Sequence, residues 1–202
     1  ANVAGESYVG GIVGINADLE ADGTAEDTYS AARVVSGWTN EGLTIATVEY
    51  AGGITGYNAG RLENCTTVIN IASKDGMSLL ELVKKAGSEG DYIGGIAGLN
   101  CGVIYSKTPA DVVAVAAGRN YVGGIAGCNR YKGKAPNERS IENYELTGGY
   151  LSGNCFVGGY VGLNTAADLF AKNKKEQPVF VSNPNLVEGN YFAAGAVTEQ
   201  VE

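Results

Sequence analysis

Tyr50-Ala51-Gly52-Gly53-Ile54-Thr55-Gly56-Tyr57-Asn58 is the stretch whose reading decides the fold class. An aromatic residue opens it and an asparagine closes it. Glycines hold its third, fourth and seventh places. The same pattern, aromatic-x-Gly-Gly-x-x-Gly-x-Asn, also starts at Tyr8, Tyr92, Tyr121 and Phe156 and closes on Asn16, Asn100, Asn129 and Asn164. A degenerate sixth copy is read as opening at Tyr191. A period of a few tens of residues marks a stacked repeat, in which each unit buries its apolar face against its neighbours.

The unit from Tyr92 to Asn120, 29 residues long, carries no insertion. It reads as three extended pieces: 92–100, 102–106 and 112–117, separated by Gly, Asn or Pro. Three strands per unit predict one coil of a right-handed parallel β-helix, with each strand pairing in parallel with its equivalent about 4.8 Å away. The fold class expected is therefore all-β, a β-solenoid of about five three-stranded coils with short helical insertions. Residues 1–202 form one solenoid domain in this reading, a segment of a longer repeat protein.

The copies start 42, 42, 29 and 35 residues apart, so some units hold extra chain. It is assigned to about 17–29, 74–90, 131–136 and part of 165–177. Two of these segments read as helical. Ser78-Leu79-Leu80-Glu81 is a capping box with a stop at Gly87, and Thr165-Ala166-Ala167-Asp168 opens a shorter turn.

Positions that recur should stack. The opening aromatics form one ladder, and Ile12, Ile54, Ile96, Ile125 and Tyr160 form a core ladder. Asn16, Asn58, Asn100, Asn129 and Asn164 are assigned a structural role, passing amide hydrogen bonds from coil to coil.

Composition narrows the function classes. A net charge of −8 argues against nucleic acid as a partner. No apolar run reaches the roughly 18 residues of a membrane span, so no membrane insertion is expected. Histidine is absent, so Ser-His and Cys-His nucleophile couples are excluded, and a zinc site has no imidazole to draw on. Cys65, Cys101, Cys128 and Cys155 form no C-x-x-C pair and are read as free thiols packed as small hydrophobes. Cys101 with Cys128 is the pair closest to a bridge.

With these residues in view, Tyr50–Cys65 closely resembles the GLUG repeat of bacterial surface proteins, roughly V-G-G-I-V-G-x-N-x-G-x-I-x-N-C. Residues 92–106 match nearly as well. The unit at Tyr121 matches through Asn129 and resumes at Ser140-Ile141-Glu142-Asn143-Tyr144. The first and fifth units match over the nine-residue core. The resemblance implies a secreted or wall-anchored bacterial protein at the cell surface, such as an adhesin or the non-catalytic repeats beside immunoglobulin-A-cleaving metallopeptidases. It brings no catalytic residue, metal or cofactor. The function expected is a stalk or ligand-presenting scaffold, with a host glycan or extracellular protein as partner beside adjacent repeats of the parent chain. The alternatives are a glycan-processing β-helix enzyme and an accessory repeat of a secreted peptidase.

Three constellations bear on those readings. Asp18, Glu20, Asp22 and Gly23 echo a calcium loop, but Tyr29 stands at the twelfth place, where a bidentate Glu is required, so a solvated acidic loop is expected. Glu63 and Glu142 align in two coils with Tyr105 between them. That sets them near 10 Å apart, just beyond the spacing of an inverting hydrolase pair. The extra segments that follow Asn16, Asn129 and Asn164 should leave from one corner. They carry Asp18, Asp22 and Tyr29 on one unit and Arg130, Tyr131, Lys132, Lys134 and Lys172 on the others. This charge-polarised ridge is the binding surface expected from sequence, since loops on rigid scaffolds carry function.

Overall fold

The computed structural model describes residues 2–17, 33–35, 39–47, 49–73, 90–130, 140–165, 187–194 and 197–200. Among them every element is a strand. In chain order these are β1 (Asn2–Ala4), β2 (Ser7–Gly10), β3 (Val13–Asn16), β4 (Arg33–Val35), β5 (Thr39–Thr47), β6 (Glu49–Gly52), β7 (Thr55–Asn58), β8 (Arg61–Glu63) and β9 (Thr66–Ser73). There follow β10 (Asp91–Gly94), β11 (Ala97–Asn100), β12 (Val103–Ala117), β13 (Asn120–Gly123), β14 (Ala126–Asn129), β15 (Ile141–Gly158), β16 (Val161–Asn164), β17 (Val187–Ala194) and β18 (Val197–Gln200). The segments read as helical, 78–87 and 165–170, lie outside the described residues apart from Thr165.

The pairings are parallel and join equivalent segments of successive repeats. One six-stranded sheet runs β3-β7-β11-β14-β16-β18, with Asn16, Asn58, Asn100, Asn129 and Asn164 in register. The second sheet, of 12 strands, contains the row β2-β6-β10-β13 and continues into β15. Its third row is β4-β8-β12 and its fourth β1-β5-β9-β12. β12 and β15 pass through more than one row without a break, which fuses the rows into one sheet. Parallel strands need a crossover between partners, and here the crossover is the rest of each repeat.

Two readings from sequence need correction. The nine-residue motif is two strands joined by a bend, not one extended piece: β10 and β11 are separated at Gly95 and Ile96, and the pieces 102–106 and 112–117 merge into β12. The bend brings the two half-motifs together until their backbones touch. A Cβ on Gly98 would stand 2.5 Å from the Tyr92 carbonyl oxygen and 2.7 Å from that of Gly56. Only glycine allows this approach, so a pattern that would weaken a flat strand is what closes the arch. The sixth copy also opens one residue later. Cys155 pairs with Tyr191 and Asn164 with Gln200, so Phe192 takes the aromatic place and Gln200 the closing one.

The main core is a set of ladders. Val9, Ala51, Ile93, Val122 and Val157, at the second place of the motif, belong to it. So do Ile54, Ile96, Ile125 and Tyr160 at the fifth, with Ile12 packed against them. Leu62, Ile104 and Ile141 pair in register and are fully buried. Two tyrosines also sit inside, and both find partners. The Tyr144 hydroxyl accepts from the Cys65 amide at 3.1 Å, and the Tyr160 hydroxyl donates to the Tyr144 carbonyl at 3.2 Å. A buried phenol needs such a partner to offset its lost hydration.

Candidate functional site

The motif places its first residue in an unusual conformation. Tyr8, Tyr50, Tyr92, Tyr121 and Phe156 all have positive φ, between 52° and 59°. Bulky side chains rarely adopt this left-handed region. The aromatic at place one lies outside the main core while its neighbour at place two is in it, as strand alternation requires. The rings then stack on one another, with centroids 4.8, 4.8, 4.7 and 5.1 Å apart and planes within 15°. Each pair contributes about 0.5–1.5 kcal/mol beyond buried area, which offsets part of a backbone cost of about 1–3 kcal/mol per residue.

A smaller apolar cluster lies beside this stack. Tyr57, Leu99 and Cys128, from the eighth place of the motif, are buried there, with Ile15, Leu163, Tyr50 and Tyr92 packed against them. Tyr8 meets the Tyr57 ring edge-on at 6.2 Å. Burial first, then the neighbouring phenols, raises the titration of Tyr50, and burial also raises that of Tyr92. Tyr50 and Tyr92 therefore present neutral hydroxyls.

The closing asparagines form an unbroken amide chain. Asn16 Nδ2 donates to Asn58 Oδ1 at 2.8 Å, Asn58 to Asn100 at 2.7 Å, Asn100 to Asn129 at 2.8 Å and Asn129 to Asn164 at 2.9 Å. Asn58, Asn100, Asn129 and Asn164 are fully buried. Their backbone carbonyls are used too: Asn16 O accepts from the Ala59 and Gly60 amides, Asn100 O from Arg130 and Asn129 O from Thr165. Because the asparagines are in register, the chain leaves each repeat from one column, at Ala17, Arg130 and Thr165.

Of the sequence-predicted ridge, only Arg130 is among the described residues. It is half-buried, with its guanidinium carbon 6.0 Å from the Tyr92 ring centroid and its charge beside Cys128. Asp18, Asp22, Tyr29, Tyr131, Lys132, Lys134 and Lys172 lie outside the described residues. So does the acidic loop with its calcium-like spacing. No cluster of three or more His, Cys, Asp or Glu able to hold a metal occurs among the described residues.

The four thiols are free. Cys65, Cys101 and Cys128 are buried and Cys155 is half-buried. Burial pushes the Cys65 and Cys128 thiols up to about 11, so neither is a nucleophile near neutrality.

A second surface lies on the third row. Glu63, Tyr105 and Glu142 stand in register, two carboxylates flanking a phenol. The Arg61 guanidinium lies over the Tyr105 ring at 4.9 Å and reaches Glu63 at 3.7 Å. Next to them, Asn64 and Asn143 adopt positive φ. Asn64 Oδ1 accepts from the Lys107 amide at 2.8 Å, and Asn143 Nδ2 donates to the Ser106 carbonyl at 2.7 Å. The register slips between Tyr105 and Ala110. The displaced chain walls an open groove of about 630 Å³, lined by Asn64, Thr66, Val68, Lys107, Pro109 and Asp111 among others. Hydroxyls, one cation, one anion and the exposed Val68 suit a hydroxyl-bearing or extended ligand. Sequence reasoning missed this groove. The signal available was the repeated Glu-Asn at 63–64 and 142–143, since Asn tolerates a left-handed corner.

No protein-family model, curated protein or solved structure matches this chain.

Proposed function

We propose that the chain is a non-catalytic structural and adhesive repeat module, a right-handed β-solenoid of about five coils with short helical insertions, on a secreted or wall-anchored bacterial surface protein. The motif's resemblance to the GLUG repeat supports the surface location. One observation carries the structural role: the ring stack and the amide chain both run through every full copy of the motif. Each repeat is thereby tied to the next by a polar bond and an apolar contact besides the backbone ladder. Such nearest-neighbour coupling suits a spacer that holds its length while projecting other domains. The insertions that leave the asparagine column then form the surface offered to a host glycan or extracellular protein.

Single-molecule pulling between the termini tests the spacer role. Repeats of 29 to 42 residues released at about 3.5 Å per residue give contour steps of about 10–15 nm, or multiples of them. Smooth extension without discrete steps refutes the proposal. A glycan and matrix-protein array, with residues 131–136 replaced by a Gly-Ser turn as control, assigns the adhesive surface. Binding that survives the replacement removes the ridge from consideration.

A further inference from the structure

Stacking accounts for the rings of the aromatic column but not for their hydroxyls. Phe156 keeps its place 5.1 Å from Tyr121, with planes 11° apart, and carries no hydroxyl. The members above it are all tyrosines: Tyr8, Tyr50, Tyr92 and Tyr121. The core tyrosines Tyr144 and Tyr160 use their hydroxyls in hydrogen bonds. Among the described residues, none exchanges a hydrogen bond with the hydroxyl of Tyr50, Tyr92 or Tyr121. These three rings are half-buried, so the hydroxyl edge of the column stays open to solvent.

The internal members of the column are related by translation along the sheet. Tyr50 faces Tyr92 in register, and Tyr92 faces Tyr121. All three share the same left-handed backbone, with φ of 52°, 59° and 58°. Their centroids stand 4.8 and 4.7 Å apart, with planes 4° and 15° from parallel. Rings so related set each carbon ortho to the hydroxyl opposite its counterpart, at about the centroid spacing. The ortho carbons carry much of the unpaired spin of a phenoxyl radical, and they are where two such radicals join. Joining closes a gap of 4.8 Å to a carbon–carbon bond of about 1.5 Å, so each ring tips by about 1.7 Å. The ring is a lever several ångströms long hinged at Cβ, so the strands keep their spacing while it tips.

We propose that the tyrosine column is an oxidative modification site, at which a dityrosine bond joins neighbouring repeats when a haem peroxidase turns over hydrogen peroxide. Two phenols each give one electron to the peroxidase and one hydroxyl proton to water. The peroxide takes up two electrons and two protons and leaves as two waters. The two phenoxyl radicals combine through their ortho carbons. The hydrogens on those carbons then pass to the oxygens, which restores both aromatic phenols. The chain loses two hydrogens in all and gains one carbon–carbon bond. Linking is pairwise, because a ring drawn toward one neighbour recedes from the other. A Tyr50–Tyr92 bond therefore excludes a Tyr92–Tyr121 bond in the same molecule. Either bond staples two repeats together, and the first closes the 42 residues from Tyr50 to Tyr92 into a covalent loop.

The test treats the intact chain with a haem peroxidase and limiting hydrogen peroxide, then isolates and digests the monomer. The expected product is a monomer lighter by two hydrogens, with dityrosine fluorescence and linked peptides that join Tyr50 to Tyr92 or Tyr92 to Tyr121. Linking in the folded chain should run at least about tenfold faster than in the urea-unfolded chain, because folding already opposes the rings. Tyr92→Phe keeps a ring in place, as Phe156 does, and should abolish both bonds. Tyr121→Phe should abolish the second and leave the first. In single-molecule pulling, a Tyr50–Tyr92 bond should shorten the full extension by about 15 nm, the 42 residues of the loop at about 3.5 Å each. Absence of both bonds overturns the proposal, as does linking confined to tyrosines outside the column or to pairs of molecules. Equal rates in the folded and unfolded chain, or a Tyr50–Tyr92 bond lost in Tyr121→Phe while that variant remains folded, overturn it too.

Discussion

Asn100→Ala should cost far more than Asn16→Ala, though both remove one member of the same ladder. Asn100 is fully buried and stands in the middle. Its Nδ2 donates to Asn129 Oδ1 at 2.8 Å and to the Gly102 carbonyl at 3.0 Å, and its Oδ1 accepts from Asn58 at 2.7 Å. Truncation leaves Asn129 Oδ1 without its donor and deprives Asn58 Nδ2 of its short acceptor. Each buried polar group so orphaned costs about 1–3 kcal/mol, giving about 4 kcal/mol in all. Asn16 has one ladder bond, to Asn58 at 2.8 Å, so its truncation should cost about 1–2 kcal/mol. Against a total stability of about 5–15 kcal/mol the difference is large. Urea unfolding followed by far-UV circular dichroism measures it, provided the slope with denaturant is unchanged. Asn58→Ala combined with Asn100→Ala should fall short of the sum by about 1–2 kcal/mol, because the two share one bond. Equal losses at Asn16 and Asn100, or strict additivity of the pair, would refute a connected chain.

Gly98→Ala should destabilise by at least about 1–3 kcal/mol, because its Cβ would meet backbone from Tyr92, Ala51 and Gly56 at 2.5–2.7 Å and no rotamer can relieve that; a denaturation midpoint unchanged from the parent would contradict the arch. Alkaline pH should also destabilise the fold. The Cys65 and Cys128 thiols titrate at about 11 when folded against an ordinary 9.0, so the folded state keeps protons that the unfolded chain releases. Their contribution is full below the ordinary value and lost as pH rises through about 11. The thermal midpoint should fall across that window, and fall less in a Cys65→Ala, Cys128→Ala double variant. Parallel curves for the two proteins would count against the thiols as the cause.

The register of the fold was open to reading because two chemically distinct marks recur at fixed separation. An aromatic and an asparagine eight residues apart locate each repeat whatever lies between repeats, and the fifth-place isoleucines follow. The internal geometry of the motif was not open in the same way. Strand length and turn residues describe extended chain, and nothing in them distinguishes one nine-residue strand from two shorter strands folded over a glycine pair. The left-handed conformation of five aromatics was likewise hidden, since residue type argues against it. At the sixth copy the adjacent Tyr191 and Phe192 both satisfy an aromatic mark, and only pairing with Cys155 and Asn164 selects Phe192. The groove at 106–111 arises from a register slip in β12, a property of two strands together that one repeat read alone does not contain.

The closing position narrows to asparagine for a chemical reason. A ladder member must accept from the repeat before it and donate to the repeat after it, through one short side chain held at one height. Serine and threonine can do both through a single oxygen, but their reach is too small to span adjacent strands and also meet the turn carbonyls that Asn58 and Asn100 contact. Aspartate accepts but has no donor when ionised, and a column of buried carboxylates would repel itself. Glutamine carries the same amide on a longer, freer stem, and so loses more side-chain entropy when it is fixed. Gln200 stands in register with Asn164. Among the described residues the amide chain runs from Asn16 to Asn164 and the rings stack from Tyr8 to Phe156. Two unrelated interactions meeting in the same five copies is what a repeat built as a coupled unit, rather than as separate contacts, should display.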